Sequence, residues 1–174
     1  MTMTTHDFTL VLDRWPTDAE QDALFASGCD DATFGDEQGV PIAEFDRSAE
    51  TSAEAIASAV ETINNAGIRV LRILDHDLMT LADIANRLGQ SRESVRRYVT
   101  GDRGPGGFPP PVNPARGGTV FYRWSEVAPW VREHLGIDVP EEDPTLVFAN
   151  LILQARQYSR HVPNADRLVN LLNT

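Results

Sequence analysis

Seven polar side chains between residues 91 and 116 have the types and spacing needed to bind nucleic acid: Ser91, Arg92, Ser94, Arg96, Arg97, Arg103 and Arg116. A guanidinium group presents a planar fork of donors that matches phosphate oxygens and the acceptors of guanine, and serine hydroxyls also bond to phosphates. Arg96 and Arg97 are adjacent, so on a helix they project about 100° apart. One of them can therefore reach a base while the other reaches a phosphate.

The supporting element is predicted within residues 80–99, as two short helices joined by a tight turn. Thr80 caps the first helix, with Asp83 completing a capping box, and Gly89 supplies the left-handed residue that ends it. Ser91 caps the second helix. The apolar positions recur at helical spacing and are expected to face one another: Leu81, Ile84, Ala85 and Leu88 in the first helix, and Val95, Tyr98 and Val99 in the second.

This pattern predicts a helix-turn-helix in which the second helix, residues 91–99, enters the major groove of double-stranded DNA. An ordinary helical hairpin would also explain the apolar spacing. It would not require a small residue at Ala85, a glycine at the turn and Ser91 as a cap, all in register. A solvated helix face is the alternative interpretation of the exposed arginines, and Glu93 is expected to pair with one of them on that face.

The distribution of charge agrees with this position of the binding surface. The 174 residues carry a net charge of −11, which by itself opposes binding to phosphate. Residues 78–123, however, contain seven arginines and three acidic residues, whereas residues 1–77 contain four arginines and sixteen acidic residues. Because charges are screened over about 8 Å at physiological salt, a local basic face can act beside a distant acidic one. The acidic remainder is expected to slow non-specific association with DNA.

Composition and the remaining motifs argue against several other classes of protein. With 41% hydrophobic residues the chain is expected to fold, and it has no run near the ~20 apolar residues that a membrane span needs. The single Cys29 excludes an intrachain disulfide and is expected to be a buried structural thiol. The four histidines share no ligand spacing with acids, and no nucleophile lies beside a base. We therefore expect no enzyme activity, no cofactor and no metal, and, because residues 1–8 lack the features of a secretion signal, a cytoplasmic protein of bacterial type.

Residues 1–77 predict an acidic α+β domain. Apolar, β-rich runs indicate four strands, at residues 8–13, 32–34, 40–45 and 68–74. Capping and periodicity indicate helices near residues 17–27 and 52–65. The order strand, helix, strand, strand, helix, strand is that of ferredoxin-like folds, in which a four-stranded antiparallel sheet carries two helices on one face. Such folds host many functions, so we assign this domain only to assembly or sensing, through a protein partner or a small ligand.

A wing is expected directly after the second helix. Residues 101–111 are too rich in glycine and proline for regular structure. Residues 112–114 and 119–124 are then expected to pair as a short hairpin. Arg116 would lie at the tip of this hairpin and Arg103 in the loop before it, where neighbouring glycines let the backbone approach phosphates closely.

Helices are expected to follow the wing. Ser125 is predicted to cap a helix over residues 126–135, which completes a DNA-binding domain spanning residues 78–136. Two further helices are predicted in the C-terminal segment, residues 137–174. Their apolar positions make this segment a candidate for dimerisation, as is an edge of the N-terminal sheet.

Residues 78–135, about a third of the chain, carry a recognisable pattern in residues 81–85, Gly89, Ser91, Val95 and 121–127. The pattern resembles the winged helix-turn-helix of MerR-type regulators and of the related excisionase and AlpA-like phage proteins. The resemblance implies that the second helix reads the major groove and that the wing contacts the backbone or the minor groove. The chain departs from the family in two respects: Tyr98 is the single tyrosine at the end of the second helix, and the wing loop is long and rich in proline.

The leading hypothesis is a sequence-specific transcriptional regulator that binds double-stranded DNA. A homodimer is expected, because one such module binds weakly and a palindromic site needs two copies about 34 Å apart. An excisionase-like architectural protein, or an antitoxin or defence-associated DNA-binding protein, would use the same fold to bend DNA or to regulate its own synthesis. A third hypothesis is a protein-interaction module whose acidic N-terminal lobe binds a basic partner. No membrane association is expected.

Overall fold

A computed structural model describes residues 2–173, which form seven helices and six strands in a mixed α+β fold. The chain divides into two compact units. Unit 1 comprises the chain up to Leu74 and the chain from Thr145 onward, and unit 2 is Asp75–Pro144. The sequence predicts boundaries after residues 77 and 136, so the structure differs from both, and most at the second.

The elements follow one another as β1 (Thr4–Leu12), α1 (Asp18–Ala26), β2 (Ala32–Glu37), β3 (Val40–Ala49), α2 (Ser52–Asn65), β4 (Val70–Ile73), β5 (Leu78–Met79), α3 (Leu81–Leu88), α4 (Arg92–Val99), β6 (Tyr122–Arg123), α5 (Trp124–Leu135), α6 (Pro144–Ser159) and α7 (Ala165–Leu172). β1 begins four residues before the predicted strand. Residues 4–7 are polar, but they pair with the end of β3, with Thr4 opposite Ala49. A backbone ladder does not require apolar side chains, so the apolar run alone underestimates the strand.

The four-stranded sheet of unit 1 has the order β2-β3-β1-β4, and all three neighbouring pairs are antiparallel. Phe8 of β1 lies opposite Phe45 of β3, and their rings stack with centroids 5.3 Å apart. Leu10, two residues further along β1, points to the same face. These side chains share one core with Leu24 of α1 and Ile63 of α2, so α1 and α2 cover the same face of the sheet.

A buried guanidinium group joins three elements of unit 1. Arg47 donates to the Asp31 carboxylate at 2.8 and 2.9 Å, to the Gly28 carbonyl at 2.6 Å and to Ser58 Oγ at 3.1 Å. The hydrogen bonds to Asp31 raise the pKa of Arg47, so the charge is retained in the core. The predicted burial of Cys29 is confirmed, and burial raises the pKa of its thiol, which keeps it protonated and unreactive.

α6 belongs to unit 1 rather than to a separate C-terminal element. Its inward side chains pack on the core of the sheet and helices: Leu146, Ala149 and Leu153. Asn150 Oδ1 accepts the Ile73 N–H of the edge strand β4 at 3.1 Å. Sheet edges carry unpaired backbone donors, and a side-chain acceptor that satisfies one of them fixes the helix at that edge. The predicted segment 137–174 is therefore divided between the two units.

Unit 2 has its own core, formed by α3, α4 and α5. Its fully buried side chains include Ile84, Val95, Trp124, Val127 and Val131. The segment after α5 packs against this core, since Val139 is buried and Trp124 Nε1 donates to the Pro140 carbonyl at 2.8 Å. These contacts explain why residues 137–144 belong to unit 2.

The start of α5 differs from the prediction. Ser125 does not cap the helix, which begins at Trp124, two residues before the predicted start. The cap comes from Asp77, which lies far away in sequence: its Oδ1 accepts the Ser125 N–H at 2.8 Å and its Oδ2 accepts from Arg123 at 2.7 Å. Burial raises the pKa of Asp77, but the hydrogen bonds from Ser125 and Arg123 outweigh it and hold the pKa below its usual value. The buried carboxylate is therefore ionised and paired.

Candidate nucleic-acid interface

The two helices with the predicted arginines are held by the predicted caps. Thr80 Oγ1 accepts the Asp83 N–H at 3.2 Å, and the Asp83 carboxylate accepts the Thr80 N–H at 2.9 Å, so the capping box is confirmed. The hydrogen bonds from Thr80 lower the pKa of Asp83. Gly89 is left-handed, with φ 61°, and Ser91 Oγ accepts the Ser94 N–H at 3.1 Å. Both ends of the turn are thus fixed by local bonds.

Packing between α3 and α4 determines which face of α4 is exposed. Val95 and Tyr98 are buried against Ile84 and Ala85 of α3 in the core of unit 2. Because α4 is amphipathic, the positions between Val95 and Tyr98 must point outward. The exposed face of α4 carries its three arginines: Arg92, Arg96 and Arg97.

These three arginines differ in their partners. Arg96 forms a bidentate ion pair with Glu93 at 2.7 and 2.9 Å, with side chains 53% and 64% exposed. An exposed pair of this kind contributes at most about 1 kcal/mol, so a phosphate or a guanine can replace the glutamate. Within residues 2–173, Arg92 and Arg97 make no side-chain hydrogen bond and no ion pair. They present two uncommitted guanidinium groups to solvent.

Arg103 extends the basic face of α4. Its guanidinium lies over the Tyr98 ring, 5.2 Å from the centroid, and donates to Ser94 Oγ at 2.5 Å. Its backbone N–H donates to the Arg97 carbonyl at 3.0 Å, which extends the hydrogen bonding of α4 past its last turn. The structure therefore brings together Arg103 and Ser94, two of the residues that the sequence predicts to contact DNA. The hydroxyl of Ser94 serves to hold Arg103 in place.

An aromatic cluster anchors the loop that carries Arg103. Phe108 packs edge-on against Trp130 and Tyr122, with ring centroids 4.9 and 5.8 Å apart. Trp130 Nε1 also donates to the Gly106 carbonyl at 3.0 Å. Gly104 has φ 79°, and a Cβ atom there would lie 3.1 Å from the Tyr98 ring. This glycine-rich stretch is thus bound closely to the core of unit 2 although it has no regular structure.

Substitution of Gly104 by alanine tests that close approach. We expect Gly104→Ala to lower the free energy of unfolding by about 2 kcal/mol, because it adds a steric contact with Tyr98 to the strain of a left-handed residue. Gly106→Ala is the matched control: Gly106 has φ 82° but open space at its Cβ position, so about 1 kcal/mol is expected. Urea unfolding measures both. Equal losses for the two variants would show that the contact with Tyr98 is unimportant.

The wing does not have the predicted form. Residues 112–114 and 119–121 are not strands, and β6 pairs with β5 instead, with Met79 opposite Tyr122. One backbone bond, from Val112 N–H to the Phe121 carbonyl at 2.8 Å, closes the loop. Asn113 supplies the other bonds through its side chain, to Thr119 and Phe121. Prolines remove the backbone donors that a strand ladder would need, and this explains the difference.

The loop brings the two glycines that follow Arg116 to a cleft that it shares with the start of α4. A cleft of about 580 Å³ is lined by Arg92 of α4, by Leu81 at the start of α3, and by Gly117 and Gly118 of the loop. Arg116 precedes these glycines and is exposed, and within residues 2–173 it makes no side-chain hydrogen bond or ion pair. The cleft therefore has an arginine on one side and a loop of small residues on the other.

Two side chains of unit 2 with structural roles escaped the sequence interpretation. Arg87 stacks over the Trp124 ring at 4.7 Å, which holds α3 against α5. Asp77 caps α5 from a position 48 residues before Ser125. No local pattern connects Asp77 to α5, and the sequence offered Ser125 as a nearer candidate for the cap. The start of the helix at Trp124, after Arg123, which makes no capping bond, is seen only in the structure.

Other kinds of site find no support in the part of the chain that the structure describes. No group of histidine, cysteine and acidic side chains there is arranged to hold a metal ion, and no helix there is long and apolar enough to cross a membrane. Comparison with known proteins adds nothing to this, because no protein-family model, curated protein or solved structure matches the chain.

Proposed function

We propose that this protein is a sequence-specific regulator that binds double-stranded DNA through the helix-turn-helix of unit 2, with α4 in the major groove and the loop that carries Arg116 in place of the predicted hairpin wing. The observation that supports the proposal is the exposed face of α4. Packing of Val95 and Tyr98 on α3 leaves Arg92 and Arg97 outside, with no side-chain hydrogen bond or ion pair to another residue of the described chain. An eight-residue helix is about 12 Å long, enough for its arginines to reach successive base pairs.

The other proposed contacts with DNA follow from the same placement of α4 in the major groove. Arg96 would exchange Glu93 for the DNA, while Arg103 and Arg116 would contact phosphates on either side of α4. Ser91 and Ser94 keep hydroxyl donors close to the backbone of the duplex. Five of the seven arginines in residues 78–123 lie on α4 or in the loop after it, whereas residues 136–144 contain four acidic residues and no arginine. One face of unit 2 is therefore favoured over the others.

Unit 1 is proposed to have a ferredoxin-like fold and to serve assembly or sensing. Its strand order β2-β3-β1-β4 and the packing of α1 and α2 on one face support that fold. A homodimer would present two copies of α4 to a two-fold symmetric site, with centres about 34 Å apart.

Selection of bound duplexes from a random DNA pool tests the function. We expect enrichment of an inverted repeat whose half-sites are one or two helical turns apart. An enriched sequence without symmetry, together with strong bending in a circular-permutation assay, would favour an architectural role. Recovery of no preferred sequence would contradict the proposal.

One observation favours a protein partner for unit 1 as a second function. On the face of the sheet away from α1 and α2, Asp7 lies directly opposite Asp46, and Glu44 lies opposite Thr9. Like charges across a strand pair are destabilising, and a positively charged partner would relieve the repulsion between Asp7 and Asp46. A basic protein is the partner that this face would suit.

A further inference from the structure

An open apolar groove runs between α2 and α6 in unit 1, with a volume of about 560 Å³. Ile56, Ala57 and Val60 line it from α2, and Phe148 and Ile152 line it from α6. Both α6 side chains count among the exposed large hydrophobic residues of the protein. Water in contact with apolar surface is unfavourable, and such a patch is typical of a surface that binds another protein segment.

Helix α7 carries a surface of the complementary kind. Its apolar residues recur at helical spacing: Ala165, Leu168, Val169 and Leu172. None of its eight residues is buried, and Leu168 and Leu172 are 49% and 75% exposed. An isolated helix of this length is marginally stable in water, so α7 needs a surface to pack against.

The groove and α7 match in length and in charge. The groove follows α2 over residues 53–65, about 18 Å, and α7 is about 12 Å long. Glu61 and Arg156 lie at the groove, and Asp166 and Arg167 flank the apolar stripe of α7. Both charges lie in the first turn of α7, so this end of the helix can pair with Glu61 and Arg156 at the groove.

We propose that the groove binds α7 of a second copy of this chain, and that the exchange is reciprocal, giving a two-fold symmetric homodimer. Within one chain, hydrogen bonds at residues 158–162 and the left-handed Asn164 (φ 57°) set the path from α6 to α7 and leave groove and helix both uncovered. A reciprocal contact closes the assembly at two copies. The apolar side chains that would be covered in each contact are Phe148 and Ile152 at the groove and Leu168, Val169 and Leu172 of α7, all of them exposed in the single chain.

The homodimer is part of the proposed function, on which this inference rests. Its contact surface is tested without DNA, so a failure of the contact can be distinguished from a failure of DNA binding. Sedimentation over a concentration series of the full chain measures the dimer dissociation constant. We expect Leu168→Asp with Leu172→Asp to raise that constant by at least about tenfold, because charged side chains then replace apolar ones in the groove. Ala57→Arg, which blocks the groove from α2, should have the same effect. All three positions are exposed, so the fold should persist, as circular dichroism can verify.

Leu151→Asp is the matched control, because Leu151 is an exposed residue of α6 that does not line the groove. It should leave the dissociation constant unchanged. A mixture of the Ala57→Arg chain with the Leu168→Asp, Leu172→Asp chain should form a heterodimer, since one groove and one α7 remain intact between them.

Three results would overturn the proposal. The first is a wild-type chain that stays monomeric at all concentrations, which would leave the groove to α7 of the same chain or to a small ligand. The second is a dimer weakened by Leu151→Asp but not by the α7 variant. The third is a mixture that yields no heterodimer.

Discussion

Replacement of both Arg92 and Arg97 by alanine is expected to lower the affinity for the selected DNA by roughly a hundredfold or more at physiological salt. Each guanidinium that contacts a base or a phosphate contributes substantially, and within residues 2–173 neither makes a side-chain hydrogen bond or an ion pair that DNA would have to replace. Fluorescence anisotropy with a labelled duplex measures the change. The dependence on salt separates the two contacts, because a lost phosphate contact reduces the salt slope by about one and a lost base contact relaxes specificity.

The control for this prediction is the double variant Arg72→Ala with Arg160→Ala. Both residues are exposed and lie in unit 1, so the change in net charge is the same while α4 is untouched. We expect a loss below about threefold, because exposed charges that do not contact the duplex are screened by salt. Equal losses for the two double variants would show that general electrostatic attraction, and not the face of α4, governs binding.

Replacement of Asp77 by asparagine is expected to lower the free energy of unfolding of unit 2 by about 3 kcal/mol. The carboxylate accepts from the backbone of Ser125 and from Arg123, and its loss leaves a half-buried guanidinium without its counter-charge. Glu126→Gln is the matched control, since it removes one exposed carboxylate from the first turn of the same helix. For Glu126→Gln we expect a loss of less than about 0.5 kcal/mol in the free energy of unfolding. Comparable losses in urea unfolding would contradict the role of Asp77.

The effect of Asp77 should depend on pH in a defined direction. Its pKa is lower in the folded chain than in the unfolded chain, for which about 3.9 is usual. The stabilisation is therefore fully present above that unfolded pKa and is lost as the pH falls through the folded one. The difference between wild type and Asp77→Asn should be constant near neutrality and shrink in acid below about pH 4. A difference that persists unchanged there would mean that the charge of Asp77 is unimportant.

The parts of the fold that the sequence predicted depend on local bonds. Thr80, Asp83 and Ser91 cap helices whose first turns lie within three residues of them, so capping and apolar spacing suffice to find α3 and α4. Gly89 terminates α3 by a conformation that few other residues adopt. The face of α4 that carries the arginines was predictable for the same reason.

The parts that were missed depend on contacts between residues distant in sequence. The cap of α5 comes from Asp77, and the docking of α6 depends on a bond between Ile73 and Asn150. The wing was predicted as a hairpin in which residues 112–114 pair with residues 119–124, whereas in the structure the Asn113 side chain makes the bonds to Thr119 and Phe121. For α5 and α6, no window of neighbouring residues contains this information.

Unit 2 interrupts unit 1 in the chain, since Leu74 and Thr145 bound it on either side while Ile73 and Asn150 remain hydrogen-bonded. When unit 2 is folded, a compact structure connects Leu74 to Thr145 along the chain. When it unfolds, this connection becomes a long flexible loop, and holding α6 on the sheet then costs more conformational entropy. A duplex that stabilises unit 2 should therefore also tighten the attachment of α6.

Deletion from residue 137 would remove part of both units, so loss of activity in such a truncation would not identify a dimerisation element.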